Sequence, residues 1–320
     1  MKIFITGGTG FLGQHVIKRL QKESFQLVGL ARSENSSSTL KNLQVEPILG
    51  SLENIDEWKH TLKNIDILIH CAAPVEFWGP WQKFENGIVT ATENLYIAAK
   101  ENNIKRFIFI SSESVLQDKK SLVDVDETEA YPTEPNSYYG KSKMLAEQFI
   151  LAQNDEMTSI ILRPTFIWGK GMTALDTITG KIKSKDFMWI DHGKSLLEMV
   201  HVDNVAESIY LACKKGKNKA IYFVTDDNPQ SVKEFLTKLI ATKGIVPPKK
   251  NIPKGLANFL ATIIENVWKL FNLKKDPPIT KFDVAFVAMD RKYNISKIKN
   301  ELDYKSIITE SEGLKMMNAE

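Results

Sequence analysis

Three glycines at a three-residue spacing, Gly7, Gly10 and Gly13, join an aliphatic run to an amphipathic segment in Ile3-Phe4-Ile5-Thr6-Gly7-Gly8-Thr9-Gly10-Phe11-Leu12-Gly13. The run reads as a β-strand, and the residues from Phe11 onward read as a helix. Glycine at such a junction permits a tight turn and lets a pyrophosphate approach the backbone closely. The helix that follows offers unpaired N–H groups and the positive end of its dipole to the phosphates. The bland alternative is a turn in which glycine only relieves crowding, and the strand–loop–helix context at the chain start argues against it. A chain that opens this way is constrained to a parallel sheet with helical crossovers.

The remaining pattern agrees. Residues 2–6, 26–30, 45–48, 66–70, 105–110 and 158–162 are predicted strands, and 11–22, 83–101 and 138–153 are predicted helices. Continuous apolar runs such as 106–110 suit strands covered on both faces. The expected class is α/β. A doubly wound parallel Rossmann sheet occupies residues 1–164, and residues 165–320 form a smaller, mostly helical substrate-side region from which some segments can return to the core. In that region strand-like pieces near 187–190, 197–201 and 220–224 are separated by helices near 203–214 and 231–242. Loops at 246–250 and 274–278 punctuate the carboxy-terminal part.

The charge balance, 42 basic against 39 acidic residues, argues against nucleic acid as the main partner, so any anion site is local. The two cysteines, Cys71 and Cys213, form neither a disulfide framework nor a metal set. The residues after Met1 enter a strand directly, whereas a signal peptide would need a longer apolar stretch, so a cytoplasmic protein is expected.

The second strand ends where an NAD enzyme would place an acidic residue on the ribose 2′-hydroxyl. Here the chain reads Ala31-Arg32-Ser33. Arg32 and Ser33 suit a 2′-phosphate, which predicts NADP(H). Glu34 keeps NAD(H) open, and a plain exposed charge is the bland reading of Arg32.

In Ser137-Tyr138-Tyr139-Gly140-Lys141-Ser142-Lys143, Tyr139 and Lys143 are four residues apart and share one helical face. A tyrosine ionises near pH ~10 and becomes a useful acid–base group when a neighbouring ammonium stabilises its phenolate. Tyr138 is five residues from Lys143 and lies off that face.

Together these motifs resemble the extended short-chain dehydrogenase/reductase family, whose members are NAD-dependent epimerase/dehydratase-like. The resemblance covers nearly the whole chain. It implies that Tyr139 exchanges a proton with the substrate oxygen and that Lys143 also holds the nicotinamide ribose. It further implies that a serine after the fifth strand bonds the same oxygen. Phe107-Ile108-Phe109-Ile110-Ser111-Ser112-Glu113-Ser114-Val115 matches that strand end and assigns the role to Ser112, with Ser111 as the alternative. The family-like segments Leu162-Arg163-Pro164-Thr165-Phe166-Ile167-Trp168-Gly169 and His201-Val202-Asp203-Asn204-Val205-Ala206 complete the match. In the second, Asp203 is expected to cap a helix. The cofactor set implied is Gly7, Gly10, Phe11, Leu12, Gly13, Arg32, Ser33, Ser51, Leu52, Ala72, Tyr139, Lys143 and Pro164, with no metal.

Two departures stand out. Gly50-Ser51-Leu52 lacks the family's aspartate near the adenine, and Ile88-Val89-Thr90-Ala91-Thr92-Glu93-Asn94 lacks the first asparagine of the helix motif.

The segments Ala72-Ala73-Pro74-Val75-Glu76-Phe77-Trp78-Gly79-Pro80-Trp81 and 276–282 resemble the branch of 3β-hydroxysteroid dehydrogenases and 2-alkyl-3-oxoalkanoate reductases. That branch implies a hydrophobic secondary alcohol or ketone, 3-hydroxy/3-oxo acyl-derived or steroid-like, as substrate. Trp78, Trp81 and Phe166 are its candidate contacts, and a homodimer is compatible with this reading. A nucleotide-sugar epimerase/dehydratase and a non-enzymatic NADP(H)-sensing protein are the competing readings. Finally, Leu256, Phe259, Leu260, Ile263, Ile264, Val267, Leu270 and Phe271 recur at helical spacing. Asn258, Glu265, Asn266, Lys269 and Asn272 interrupt any membrane span. This helix reads as plain core, as a cover over the substrate pocket, or as a peripheral membrane contact.

Overall fold

The computed structural model describes residues 1–318 other than Asn272 and Lys274, so the expectations placed on those two lie outside the described residues. The chain runs β1 (Lys2–Thr6), α1 (Phe11–Leu20), β2 (Gln26–Ala31), α2 (Glu34–Asn42), β3 (Glu46–Leu49) and β4 (Ile67–His70). It continues through α3 (Trp81–Phe84), a π-turn (Glu85–Thr90), α4 (Ala91–Glu101), β5 (Arg106–Ile110), β6 (Leu122–Val125), α5 (Tyr138–Ala152) and β7 (Thr158–Pro164).

Seven strands form the central sheet in the order Ala220–Val224, β7, β5, β4, β1, β2, β3, and every pairing is parallel. Alternate residues of each strand enter two different cores, as the period of two requires. Ile3 and Ile5 pack on one side of the sheet and Phe4 on the other, and Ile108 and Ile110 part from Phe107 and Phe109 in the same way. The chain moves outward from β1 to β3 and then returns to β4 on the far side of β1. That reversal opens a crevice at the carboxyl ends of β1 and β4.

Beyond β7 come α6 (Ala174–Lys183), α7 (Val202–Lys215), α8 (Val232–Ala241), α9 (Lys254–Leu270) and α10 (Lys281–Ala288). The strand Ala220–Val224 and α7 belong to the central layers. His15 and Arg19 of α1 bind Asp203 and Glu207 of α7, the first at 2.6 Å, and the Arg19 guanidinium lies 3.7 Å over the Tyr210 ring. A smaller sheet joins Gln230–Ser231, Leu196–Leu197, Arg291–Tyr293 and β6.

Five expectations change. The helix 83–101 is interrupted by the π-turn, and it regains α pitch where Thr92 Oγ1 donates to the Ile88 carbonyl at 2.6 Å. The strand 187–190 shortens to Trp189–Ile190, and 197–201 divides into Leu196–Leu197 and Met199–His201, which join different small sheets. The cap of α7 is His201, whose Nδ1 accepts from the Asp203 N–H at 3.3 Å, because Asp203 turns to His15 instead. The apolar stripe of α9 is not core. Ala257 and Ala261 face the body, while Leu256, Phe259, Leu260, Ile263, Val267 and Leu270 are exposed. No helix among the described residues is long and apolar enough to cross a membrane.

Candidate active site

The glycine loop fills the crevice floor. Gly7 has φ +71°, and a Cβ there would stand 2.8 Å from the Ala72 nitrogen, so a side chain is excluded on both counts. Ala72 N–H donates to Thr6 Oγ1 at 3.2 Å, which locks the end of β1 to the loop after β4. A Cβ on Gly13 would come within 2.1 Å of the Gly7 carbonyl oxygen, so α1 packs directly on the loop. No side chain caps α1 at Gly10. The same holds for α3, α4, α6 and α9, whereas α2, α5, α7, α8 and α10 are capped by Ser33, Ser137, His201, Ser231 and Thr280. First-turn N–H groups without a cap, beside a cradle that a Cβ would fill, fit the pyrophosphate of a dinucleotide.

Arg32 follows β2, is exposed, and makes no hydrogen bond or ion pair with the described residues. Ser33 caps α2, its Oγ accepting from the Ser36 N–H at 3.2 Å. Glu34 lies in the first turn of α2, where the helix dipole favours a carboxylate. Ser51 and Leu52 follow β3. Trp58 Nε1 donates to the Ser51 carbonyl at 2.7 Å, and Leu52 packs against the cluster around Phe4. Pro164 ends β7, buried at the same edge of the sheet.

Tyr139, Ser112 and Lys143 come together where α5 meets the turn after β5. Ser137 caps α5 by accepting from the Gly140 N–H at 3.0 Å. A Cβ on Gly140 would lie 2.5 Å from the Ser114 carbonyl oxygen, so glycine is what lets the helix close on the Ser112 turn. Farther along α5, the buried Glu147 binds Arg163 of β7 at 2.6–3.2 Å and accepts from the Tyr131 hydroxyl at 2.7 Å. The helix is therefore held to the sheet at two points.

Burial pushes the Tyr139 phenol up to about 12; the Ser112 hydroxyl, which interacts with it, opposes that shift and the Glu113 carboxylate adds to it. The phenol is thus protonated at neutral pH. Burial pulls the Lys143 ammonium down to about 8, against the opposing influence of Cys71 and Glu147. Its Nζ donates to the Ile110 carbonyl at 2.7 Å and lies 4.5 Å from the Phe109 ring centre. The Ser111 hydroxyl is buried without a partner, whereas Ser112 is half-buried and reaches the tyrosine. Tyr138 is exposed and packs on Trp81 and Phe84.

An aromatic run borders this site. Phe77 stands edge-on to Tyr139 at 5.4 Å and stacks on Phe282 at 4.2 Å. Phe282 continues to Phe286 and then Phe166, at 6.0 and 5.6 Å. Phe77 and Phe282 lie in the two segments that carried the branch resemblance, but the sequence reading named neither as a substrate contact. Phe166 belongs to the run. Trp81 packs on Tyr138 at 5.6 Å, and Trp78 lies under Lys269 at 5.7 Å, so neither tryptophan ring meets Tyr139. Among the described residues no cluster of His, Cys, Asp or Glu could hold a metal ion.

Residues 4–254 match the sequence profile of the 3-beta hydroxysteroid dehydrogenase/isomerase family. The chain is similar to the 4-hydroxy-2-methyl-3-oxo-4-farnesyl-3,4-dihydroquinoline-1-oxide ketoreductase of Stigmatella aurantiaca, with 34% identity covering 98% of this chain and 95% of that protein. It is also similar to a sterol-4-alpha-carboxylate 3-dehydrogenase, decarboxylating, of Dictyostelium discoideum, with 32% identity covering 98% of each. The structure of a UDP-glucose 4-epimerase with UDP-glucose from Thermotoga maritima matches with TM-score 0.77 at 20% identity, covering 99% of this chain and 97% of that one. That last likeness is one of fold.

Proposed function

Since this chain belongs to the 3-beta hydroxysteroid dehydrogenase/isomerase family and is an oxidoreductase acting on a CH–OH group, we propose that it transfers a hydride between NADP(H) and a hydrophobic secondary alcohol or ketone, 3-hydroxy/3-oxo acyl-derived or steroid-like. The observation that carries this reading is the buried Tyr139 phenol one helical turn from the buried Lys143, on a helix whose Gly140 closes on the turn that carries Ser112. When bound, the nicotinamide supplies or accepts the hydride. In ketone reduction the Tyr139 hydroxyl donates its proton to the substrate oxygen, and Ser112 orients and polarises that oxygen. Lys143 holds the nicotinamide ribose and adds positive charge below its depressed pKa.

Phe11, Leu12 and Gly13 offer backbone N–H groups to the pyrophosphate, and Arg32 with Ser33 binds a 2′-phosphate. Ser51, Leu52, Ala72 and Pro164 border the adenine and nicotinamide ends. Residues 1–164 form most of the cofactor half and 165–320 most of the substrate half. The aromatic run from Phe77 to Phe166 supports an apolar substrate over a sugar nucleotide, which would call for polar partners. The presence of both Tyr139 and Lys143 argues against a sensor without chemistry.

Consumption of NADPH and NADH with β-keto acids, 3-ketosteroids and aromatic ketones tests the proposal. Saturable, NADPH-preferring turnover of an apolar ketone is expected. Tightly held NAD with affinity for a UDP-sugar, or cofactor binding without turnover of any of these ketones, would overturn it.

A further inference from the structure

The turn that carries Ser112 holds a buried acid to which the chemistry above gives no role. Glu113 begins the short helical turn Glu113–Leu116 and is 3% exposed. Its carboxylate accepts from the Tyr293 hydroxyl at 2.5 Å and from the Gln117 amide, and it lies 3.5 Å from Arg291 Nη1. Arg291 and Tyr293 are each 2% exposed, and Tyr293 lies 180 residues farther along the chain. Arg291 Nη1 has no hydrogen-bond partner, so Glu113 meets it as a counter-charge. A buried ion pair is a poor source of stability, because the cost of taking both charges out of water rivals their attraction. What such a pair can fix is geometry.

Arg291 carries the contact onward. Its Nη2 donates to the Ala285 carbonyl of α10 at 3.0 Å, and its guanidinium lies 4.9 Å from the Phe286 ring centre. From Phe286 the aromatic run returns through Phe282 and Phe77 to Tyr139 on α5. Helix α5 then meets the Ser112 turn at Gly140, which faces the Ser114 carbonyl. These contacts close a ring that leads from the turn of one reacting hydroxyl, along the apolar wall, to the helix of the other. Aromatic contacts tolerate a range of separations. The Glu113–Arg291 link joins opposite charges in a dry setting, where attraction is strongest and displacement most costly.

We propose that Glu113, clamped by Arg291 and Tyr293, is a positioning residue that holds the Ser112 hydroxyl at a fixed place relative to the α10 wall. This rests on the oxidoreductase reading above, in which Ser112 orients the substrate oxygen. An apolar ketone lying along Phe282 and Phe286 would then present its oxygen to a hydroxyl whose place is set from the same helix.

The test is steady-state reduction of a 3-ketosteroid or a 2-alkyl-3-oxo acid by the full chain with NADPH. Glu113→Gln keeps the shape of the side chain and removes its charge. Its kcat should fall about tenfold to a hundredfold, with the Michaelis constants for ketone and NADPH within about twofold. In the Ser112→Ala background the same substitution should cost less than about twofold, because the hydroxyl that it positions is gone. Glu113→Gln also leaves Arg291 buried without a counter-charge, so Glu113→Gln combined with Arg291→Met serves as the second variant. Removing both charges should return the melting temperature toward that of the unaltered protein while kcat stays low. An unchanged kcat in Glu113→Gln, an equal loss with and without the Ser112 hydroxyl, or recovery of kcat together with stability in the paired variant would overturn the proposal. In each of those results the unaltered protein still reduces the ketone, so the oxidoreductase reading survives. No turnover by the unaltered protein would remove both.

Discussion

Gly140→Ala is a sharp test of how the catalytic groups are positioned. The added Cβ would sit 2.5 Å from the Ser114 carbonyl oxygen, against an ordinary contact of 3.4 Å, so 3.4 − 2.5 = 0.9 Å of separation must be found. The opposing atom is backbone and cannot rotate away. Either the start of α5 or the Ser112 turn has to shift, and both carry catalytic hydroxyls. A displacement near 1 Å costs on the order of a hundredfold in rate, and overpacking of this kind costs about 1–3 kcal/mol of stability. The glycine loop lies on α1 and is untouched, so NADPH affinity should hold within about twofold, well under the tenfold of about 1.4 kcal/mol. Steady-state ketone reduction, fluorescence titration with NADPH and a thermal melt separate these quantities. Turnover within about threefold of the unaltered protein, at an unchanged melting temperature, would refute the close-contact argument.

Arg32→Ala should raise the Michaelis constant for NADPH about tenfold to a hundredfold, the worth of a charge-assisted hydrogen bond, and leave that for NADH unchanged; equal effects on both would remove the 2′-phosphate assignment. Glu147→Gln strips the buried Arg163 of its counter-charge and should cost about 3–5 kcal/mol in a urea melt, whereas an unchanged midpoint would show that the pair does not anchor α5. Lys143 is an ammonium below about pH 8 and a neutral amine above it, because burial disfavours its charged form. The free enzyme's kcat/KM for ketone reduction should therefore fall as pH rises through that value, and a flat profile from about pH 6 to about 9 would contradict the role given to the charge.

What was legible in the sequence was local. The glycine spacing specified a loop because Gly7 needs a positive φ and Gly13 lies against its carbonyl, and both constraints act within a few residues. Tyr139 and Lys143 could be paired because helical periodicity alone puts them on one face. What failed to show was settled by contacts between distant segments. Asp203 looked like a cap, but His15 from α1 claims its carboxylate, leaving the cap to His201. Phe77 and Phe282 meet across a separation of more than two hundred residues, which no local pattern encodes. The stripe on α9 has the same period whether it faces protein or solvent, and only the alanine contacts with α10 decide its direction. Likewise, an apolar run such as 220–224 carries no mark of the sheet it will join; its pairing with β7 is a property of the whole fold.

The most direct test of the account is NADPH consumption by the Tyr139→Phe protein with a 3-ketosteroid or a 2-alkyl-3-oxo acid, beside a fluorescence titration of NADPH binding. The substitution removes one hydroxyl from a buried ring that also packs on Phe77. If Tyr139 delivers the proton, turnover falls about a hundred- to ten-thousand-fold while cofactor affinity is preserved. Turnover within about twofold of the unaltered protein, on a ketone that protein reduces with saturable kinetics, would place the proton transfer on another group and contradict the account.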